Sequence, residues 1–380
     1  MSKTADESSP QEPQSAVVGV CPWLPWPLSR MRWWTEPVPA ERLAALRIVM
    51  SALMLLDIVF VYLPNNRVFF GKDSLGRPEV FQYLYKPYWD WKAAGNDVEF
   101  LREDLEKESP FHRSLESSWR WSLLYRVEDH RVIQAAIIVW IVATVLLLVG
   151  AGTRVAAVVG WLISTSFANI NTFIDNGGDQ IRYIVTLYFM LTPCGAVWSI
   201  DAWVLRLIGR LTWVRRLFGR RTGPVFIYPW ALRLLFVQMV LMYWCNGLYK
   251  ATGIDWWAGD SLYYVLNDLT LSRWPYVRFP IPYWLTRVLS WTVLIWELGF
   301  PLWVIPPWRR IGNALERIGL RWRWLLSFIR NLPAIALVFG AFFHVGIGLS
   351  MELGFFAPYV LCLYLPLLPF ERLSSRHRLK

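Results

Sequence analysis

The sequence is short of the residues on which soluble enzymes most often build chemistry. It holds 4 cysteines and 4 histidines in 380 residues. Cys21, Cys194, Cys245 and Cys362 show neither metal-ligand spacing nor a pairing pattern, which leaves no zinc cluster or disulfide framework to build on. The last three fall in or beside apolar runs and read as small buried hydrophobes. Walker motifs, Gly-rich nucleotide loops and CxxC pairs are missing, so the signature of an ATP-driven pump is absent. There is no Asn-x-Ser/Thr sequon and no retention signal, in keeping with a bacterial cytoplasmic membrane. The first 40 residues are polar and Pro-rich and lack the apolar centre of a secretory signal. They read as a disordered cytoplasmic lead.

What the chain does have is apolar length. Hydrophobic residues make up 55% of it, and mean hydropathy is +0.33. These residues fall in blocks of about twenty, the length a helix needs to cross a bilayer core. Many of the 25 tryptophans flank those blocks, where amphipathic rings sit at headgroup level. The blocks are continuously apolar and do not alternate, which argues against a β-barrel. The expected fold class is all-α, a polytopic transmembrane helical bundle. Eight spans are expected, at about 43–63, 132–150, 154–170, 182–200, 230–249, 285–306, 333–350 and 354–370. Because the last hairpin, around "MELGFF", is very tight, six to nine spans are compatible with the pattern.

The net charge of +11 would raise nucleic acid as a partner in a soluble chain. Its placement points elsewhere. Residues 202–228 carry Arg206, Arg210, Arg215, Arg216, Arg220 and Arg221 and no acid. Residues 307–331 carry six arginines against Glu316 alone. This is the positive-inside pattern, and it places both termini in the cytoplasm; contact with anionic membrane lipids comes second. No nucleic-acid partner is expected. The division is a lead at 1–40, a transmembrane domain at 41–370 and a basic cytoplasmic tail at 371–380. The long 64–131 segment, the loop "NTFIDNGGDQIR" and the aromatic segment 250–284 then lie outside. Aromatic parts of 64–131 such as "VFQYLYKPYWDW" are expected to lie along the membrane surface.

Ionisable groups at membrane depth are costly, so each one here is a candidate functional residue; each also has the plainer reading of a helix–helix hydrogen bond. Arg47 is expected to snorkel to the inner headgroups, and Asp57 to face the bundle interior. Asn171, Asp175, Asn176, Asp179 and Gln180 cluster around two glycines that permit a tight turn, with Arg182 a partner for Asp175 or Asp179. Pro193 implies a break in its apolar run. Glu297 sits mid-span in "LIWELGFPLW" and must be neutral or paired. His344 lies in "AFFHVGIGLS" and is a candidate either for core hydrogen bonding or for the site. Helical spacing puts Tyr243, Asn246, Gly247 and Lys250 on one face, with Asn246 in reach of the amine. Lys250 at a helix end reads either as a snorkelling anchor or as a base, since an amine held away from water yields its proton more readily.

The stretches "FANINTFIDNGGDQIRYIVTLYFMLTPCGAVWSIDAW", "VQMVLMYWCNGLYKATGIDWWAGDSLYYVLN" and "FFHVGIGLSMELGFFAPYVLCLYLPLLP" together resemble the HTTM (horizontally transferred transmembrane domain) family. That family includes the membrane domain of vitamin K-dependent γ-glutamyl carboxylase. The resemblance runs over roughly 40–370 and is most specific in "CNGLYKATGIDWWAGDSLYY". It implies Lys250 as the base that deprotonates a vitamin K-type hydroquinone, with O2 and CO2 as co-reactants and His344 lining the same outward-facing pocket. Tyr243, Asn246, Trp256, Trp257, Glu297, Asp175, Asn176 and Asp179 complete the expected pocket. The family's loop histidine falls on Gly178 or Asp179. A quinone and an exported peptide or protein are the implied partners. The residues themselves leave a second class open: a non-catalytic maturation or immunity factor for an exported peptide, or a lipid-binding scaffold.

Overall fold

The computed structural model describes residues 31–71, 74, 122–124, 127–171, 174–208, 225–273 and 278–368. Most of the expected surface elements in 64–131 lie outside these residues, as do residues 1–30, 209–224 and 369–380. The chain opens with helix α1 (Met31–Thr35) and strand β1 (Val38–Pro39). Helix α2 (Glu41–Asp57) runs on into a π-helical turn at Ile58–Tyr62, and α3 (Asn66–Phe69) follows. Next come α4 (His130–Val149), α5 (Thr153–Ile170), α6 (Gly177–Leu191) and α7 (Ile200–Ile208). Strand β2 (Phe226–Ile227) pairs antiparallel with β1. The second half holds α8 (Trp230–Thr252), α9 (Ile254–Ala258), α10 (Ser261–Asn267) and α11 (Tyr283–Val304). It closes with α12 (Trp308–Arg317), α13 (Arg323–Ser350), α14 (Phe356–Cys362) and a 3₁₀ turn at Leu365–Leu367.

Local chemistry sets the helix ends. Asp129 caps α4 by accepting from the Arg131 N–H, and Gly150 ends it in the left-handed conformation. Asn176 and Asp179 form a capping box at the start of α6. Pro193 follows directly after that helix, and its run ends at Leu191 rather than reaching residue 200. Ser199 accepts from the Ala202 N–H to start α7, while Asp201 accepts from Gly152 and Thr153 and so caps α5 from a distance.

Among the described residues, four helices are long and apolar enough to cross a membrane, at Glu41–Tyr62, His130–Val149, Trp230–Thr252 and Arg323–Ser350. A fifth results if α11 and α12, bent by 76° at Pro306 and Pro307, count as one. The eight expected spans are therefore not all matched by helices of spanning length. The expected third span carries Ser164, Thr165, Ser166 and Asn169, which lower its hydropathy. The fourth is a 15-residue helix. The eighth is split between α14 and the 3₁₀ turn. The long helices bury only part of their apolar surface: 17% of the most apolar window of α13 is inside the protein. Phe342, Leu349 and Ile295 stand exposed. Surface of this kind suits lipid, and with the long apolar helices it is consistent with an integral membrane protein.

One core joins α2, α6, α8, α11 and α14 around Met50, Phe189, Tyr243, Phe300 and Tyr359. A second gathers Ile58, Tyr62, Trp140 and Phe167 where the π-helical turn meets α4 and α5. Residues 31–40, placed by sequence in the disordered lead, are folded: Trp33 packs edge-on to Phe236 of α8, and Ala40 is buried.

Candidate functional site

Lys250 occupies the last turn of α8. Its position follows from Gly247, one turn earlier. A Cβ on Gly247 would lie 2.5 Å from the Leu298 backbone nitrogen and 2.8 Å from the Glu297 carbonyl carbon. The two helices therefore cross backbone to backbone, as small residues allow. That crossing brings Glu297 to the lysine, with Nζ 2.7 Å from Oε1. The Trp256 ring covers the ammonium, its centroid 4.7 Å from Nζ. Trp256 is held there by α9, which Trp257 straps down: its Nε1 donates to the Ala251 carbonyl, and its own carbonyl accepts from Trp291.

The lysine is turned onto Glu297. Its side chain is 21% exposed, and that of Glu297 only 4%. An ion pair this far from water has a low effective dielectric around it. The other oxygen of Glu297, Oε2, is buried and has no hydrogen-bond partner among the described residues.

Two turns back on the same face of α8, the Tyr243 hydroxyl joins His344 and Tyr364. It lies 2.7 Å from His344 Nε2 and 2.7 Å from the Tyr364 hydroxyl. Trp296 and Phe300 pack on the Tyr243 ring. The opposite nitrogen of the imidazole, Nδ1, is buried without a partner among the described residues. Lys250 with Glu297 and, two turns back, Tyr243 with His344 stand along one face of α8 as a polar cluster between α8, α11 and α13. Asn246 is not part of it. It sits about 100° round the helix from Gly247 and is exposed, so the expected bond to the amine is replaced by Glu297. Trp257 is also exposed and braces the site without contacting the amine.

The loop residues build a second cluster, centred on Arg182. The guanidinium is fully buried and lies 2.7 Å from both Asp57 and Asp179. It also donates to the hydroxyls of Tyr62 and Tyr183, and the rings of Tyr62 and Trp140 lie against its face. Tyr359 of α14 donates to Asp57 at 2.8 Å. Asp179 is the partner expected for Arg182; Asp57, expected to face inward, is the second. Asp175 lies at the rim, where its Oδ2 accepts from Gln180. Burial, and next the charge of Asp179, push its carboxyl up to about 6.

Helix α14 links the two clusters. Its Phe356 meets the His344 ring edge-on, 5.7 Å between centroids, and closes over Gly177. A Cβ on Gly178 would lie 2.8 Å from the Phe356 Cα, so this position has no room for a side chain. Three residues on, Tyr359 reaches Asp57. The loop thus touches the His344 side of the lysine cluster through α14 and contributes no group to the amine itself.

Arg47 departs from its expected role. It is fully buried instead of snorkelling, and donates to the carbonyls of Leu147, Leu148, Cys194 and Trp198. A cation suits these carbonyls, which lie at the C-terminal end of α4 and in the turn after α6. Of the cysteines, Cys194 and Cys362 are buried as expected, while Cys245 is exposed on α8. No family model, no curated protein and no solved structure matches this chain.

Proposed function

We propose that the polar cluster at the end of α8 accepts a proton from a lipophilic hydroxyl compound that enters from the bilayer. The observation that supports this reading most is the contact of Lys250 with Glu297, both withdrawn from water, with Glu297 Oε2 unpaired. Taken together, the pair is neutral. When it gains the proton of a quinol hydroxyl it carries one positive charge, and the quinolate left beside it carries one negative charge. The two charges stabilise each other in a medium where isolated charges are costly. His344 Nδ1 and Glu297 Oε2, buried and without partners among the described residues, are free to bind the hydroxyls.

The sequence resemblance to the HTTM family supplies the substrate for this proposal: a vitamin K-type hydroquinone. The O2 and CO2 chemistry of the carboxylase would follow that first proton transfer, and an exported peptide or protein would be its acceptor. The proposed orientation puts the arginine-rich end of α8 and both termini in the cytoplasm of a bacterial cell, with Lys250 outward.

A second reading has its own support. Arg182 with Asp57 and Asp179 is a buried ion network that ties α2 to α6, and Lys250 with Glu297 ties α8 to α11 in the same manner. On that reading the protein is a non-catalytic scaffold or a maturation or immunity factor. Oxygen-dependent epoxide formation from the hydroquinone separates the two. Purified wild type is expected to form epoxide and Lys250→Ala to lose it, at equal folded fraction. Equal formation by both, or none by either, would sink the catalytic reading.

A further inference from the structure

At the opposite end of α8 from Lys250 lies a cavity of about 550 Å³. Seventeen residues of helix separate Arg233 from Lys250, roughly 25 Å of rise, so this cavity is not part of the lysine cluster. Arg42, Arg233, Arg309, Arg310 and Arg330 line it, and among the described residues no aspartate or glutamate does. Leu232, Phe236, Val304 and Ala334 add apolar surface to the same lining. Pro306 and Pro307, with the first residues of α12, Trp308 to Arg310, also form part of the lining. The N-terminal end of a helix carries partial positive charge and suits an anion.

The arginines are not equivalent. Arg330 is already engaged with Glu316 and Asn313. Arg233 is different: its guanidinium lies over the Trp33 ring at 4.7 Å, and its Nε is buried with no hydrogen-bond partner among the described residues. Burying an unpaired guanidinium N–H is costly. An acceptor oxygen supplied from outside the chain would remove that cost. Guanidinium groups bind phosphate oxygens in a planar two-point geometry.

We propose that this cavity binds an anionic phospholipid, with its phosphate against Arg233 and Arg309 and an acyl chain along Leu232, Phe236 and Ala334. The mixed basic and apolar lining selects an amphiphile over a free anion, because phosphate alone would leave the apolar residues without a partner. The lipid would wedge between α8, α12 and α13 and fix the bend after Pro306.

The test is lipid retention by the purified full-length protein, read by native mass spectrometry after exchange into mixed phosphatidylglycerol and phosphatidylcholine micelles. Wild type is expected to retain phosphatidylglycerol in at least tenfold preference. Arg233→Gln with Arg309→Gln is expected to abolish the preference. Ala334→Phe, which fills the apolar wall and leaves the charge unchanged, is expected to lower retention as well. Equal retention of the two lipids by wild type, or a preference untouched by the arginine changes, would overturn the proposal. So would inorganic phosphate at millimolar concentration displacing the lipid completely, since that assigns the site to a free anion.

Discussion

The Nζ of Lys250 lies 2.7 Å from Oε1 of Glu297, beside a point where two helices touch backbone to backbone at Gly247. Glu297 is buried and the Lys250 side chain is only 21% exposed, so the carboxylate in particular depends on its partner. Breaking a buried pair by removing one partner typically costs about 3–5 kcal/mol, because the survivor is left uncompensated. Glu297→Ala is expected to lower the melting temperature in detergent by more than Glu297→Ala combined with Lys250→Met does. A double variant that melts below both singles would show that the two residues do not act as a pair.

Gly247 should tolerate nothing larger. In Gly247→Ala, the added Cβ meets the Leu298 nitrogen at 2.5 Å, and overpacking of this kind costs about 1–3 kcal/mol. Gly346→Ala on α13 is the control, since a Cβ there meets nothing within 4 Å. Thermal unfolding should show a clear loss for the first and little or none for the second. Equal melting temperatures for the two variants would rule out the close crossing.

Arg182 holds two carboxylates and two tyrosine hydroxyls from one buried position. Arg182→Met is expected to destabilise by several kcal/mol, and Arg182→Lys should rescue little, because an ammonium cannot reproduce the planar fork. Adding Asp57→Asn to Arg182→Met should recover part of the loss, since coupled sites are not additive. Full additivity in a double-mutant cycle would refute the network.

Asp175 gives the network a pH dependence. Its folded-state carboxyl is raised to about 6 by burial and by Asp179, above the ordinary aspartate value of about 3.9. Protonation therefore favours the folded state. The contribution is present in full below the unfolded value and is lost as pH rises through about 6. Asp175→Asn should flatten the stability profile between pH 4 and pH 7. A wild-type profile that rises through that window, with the variant parallel to it, would contradict the assignment.

Much of the scaffold was legible because it is local. The apolar runs marked the long helices, Pro193 marked the break after α6, and "DNGGDQ" marked the turn before it, though not the capping box that starts it. Pairing across helices was not, because it depends on crossing points. Glu297 is the one acid in α8 and α11 together, a signal that would have matched it to Lys250, but nothing in the spacing shows which helices touch. Asn246 and Gly247 differ by one residue, and only the crossing shows that the glycine faces inward. Arg47 looked like an anchor because its carbonyl partners lie 100 to 151 residues away. The span count failed to map onto long helices where polar residues shortened the apolar signal, as in α5, or where the chain turned early, as after Cys362.

The account turns on whether the Lys250 and Glu297 pair takes a proton from a quinol. Anaerobic mixing of purified protein with a vitamin K-type hydroquinone, followed by the ultraviolet absorbance of the quinolate, measures that step without oxygen or carbon dioxide. Wild type is expected to generate quinolate near neutral pH, and Lys250→Ala and Glu297→Gln to lose it by about 10²-fold or more in rate, the usual weight of a positioned acid–base group. Quinolate formation that is the same in all three, or absent from wild type, would contradict the central claim.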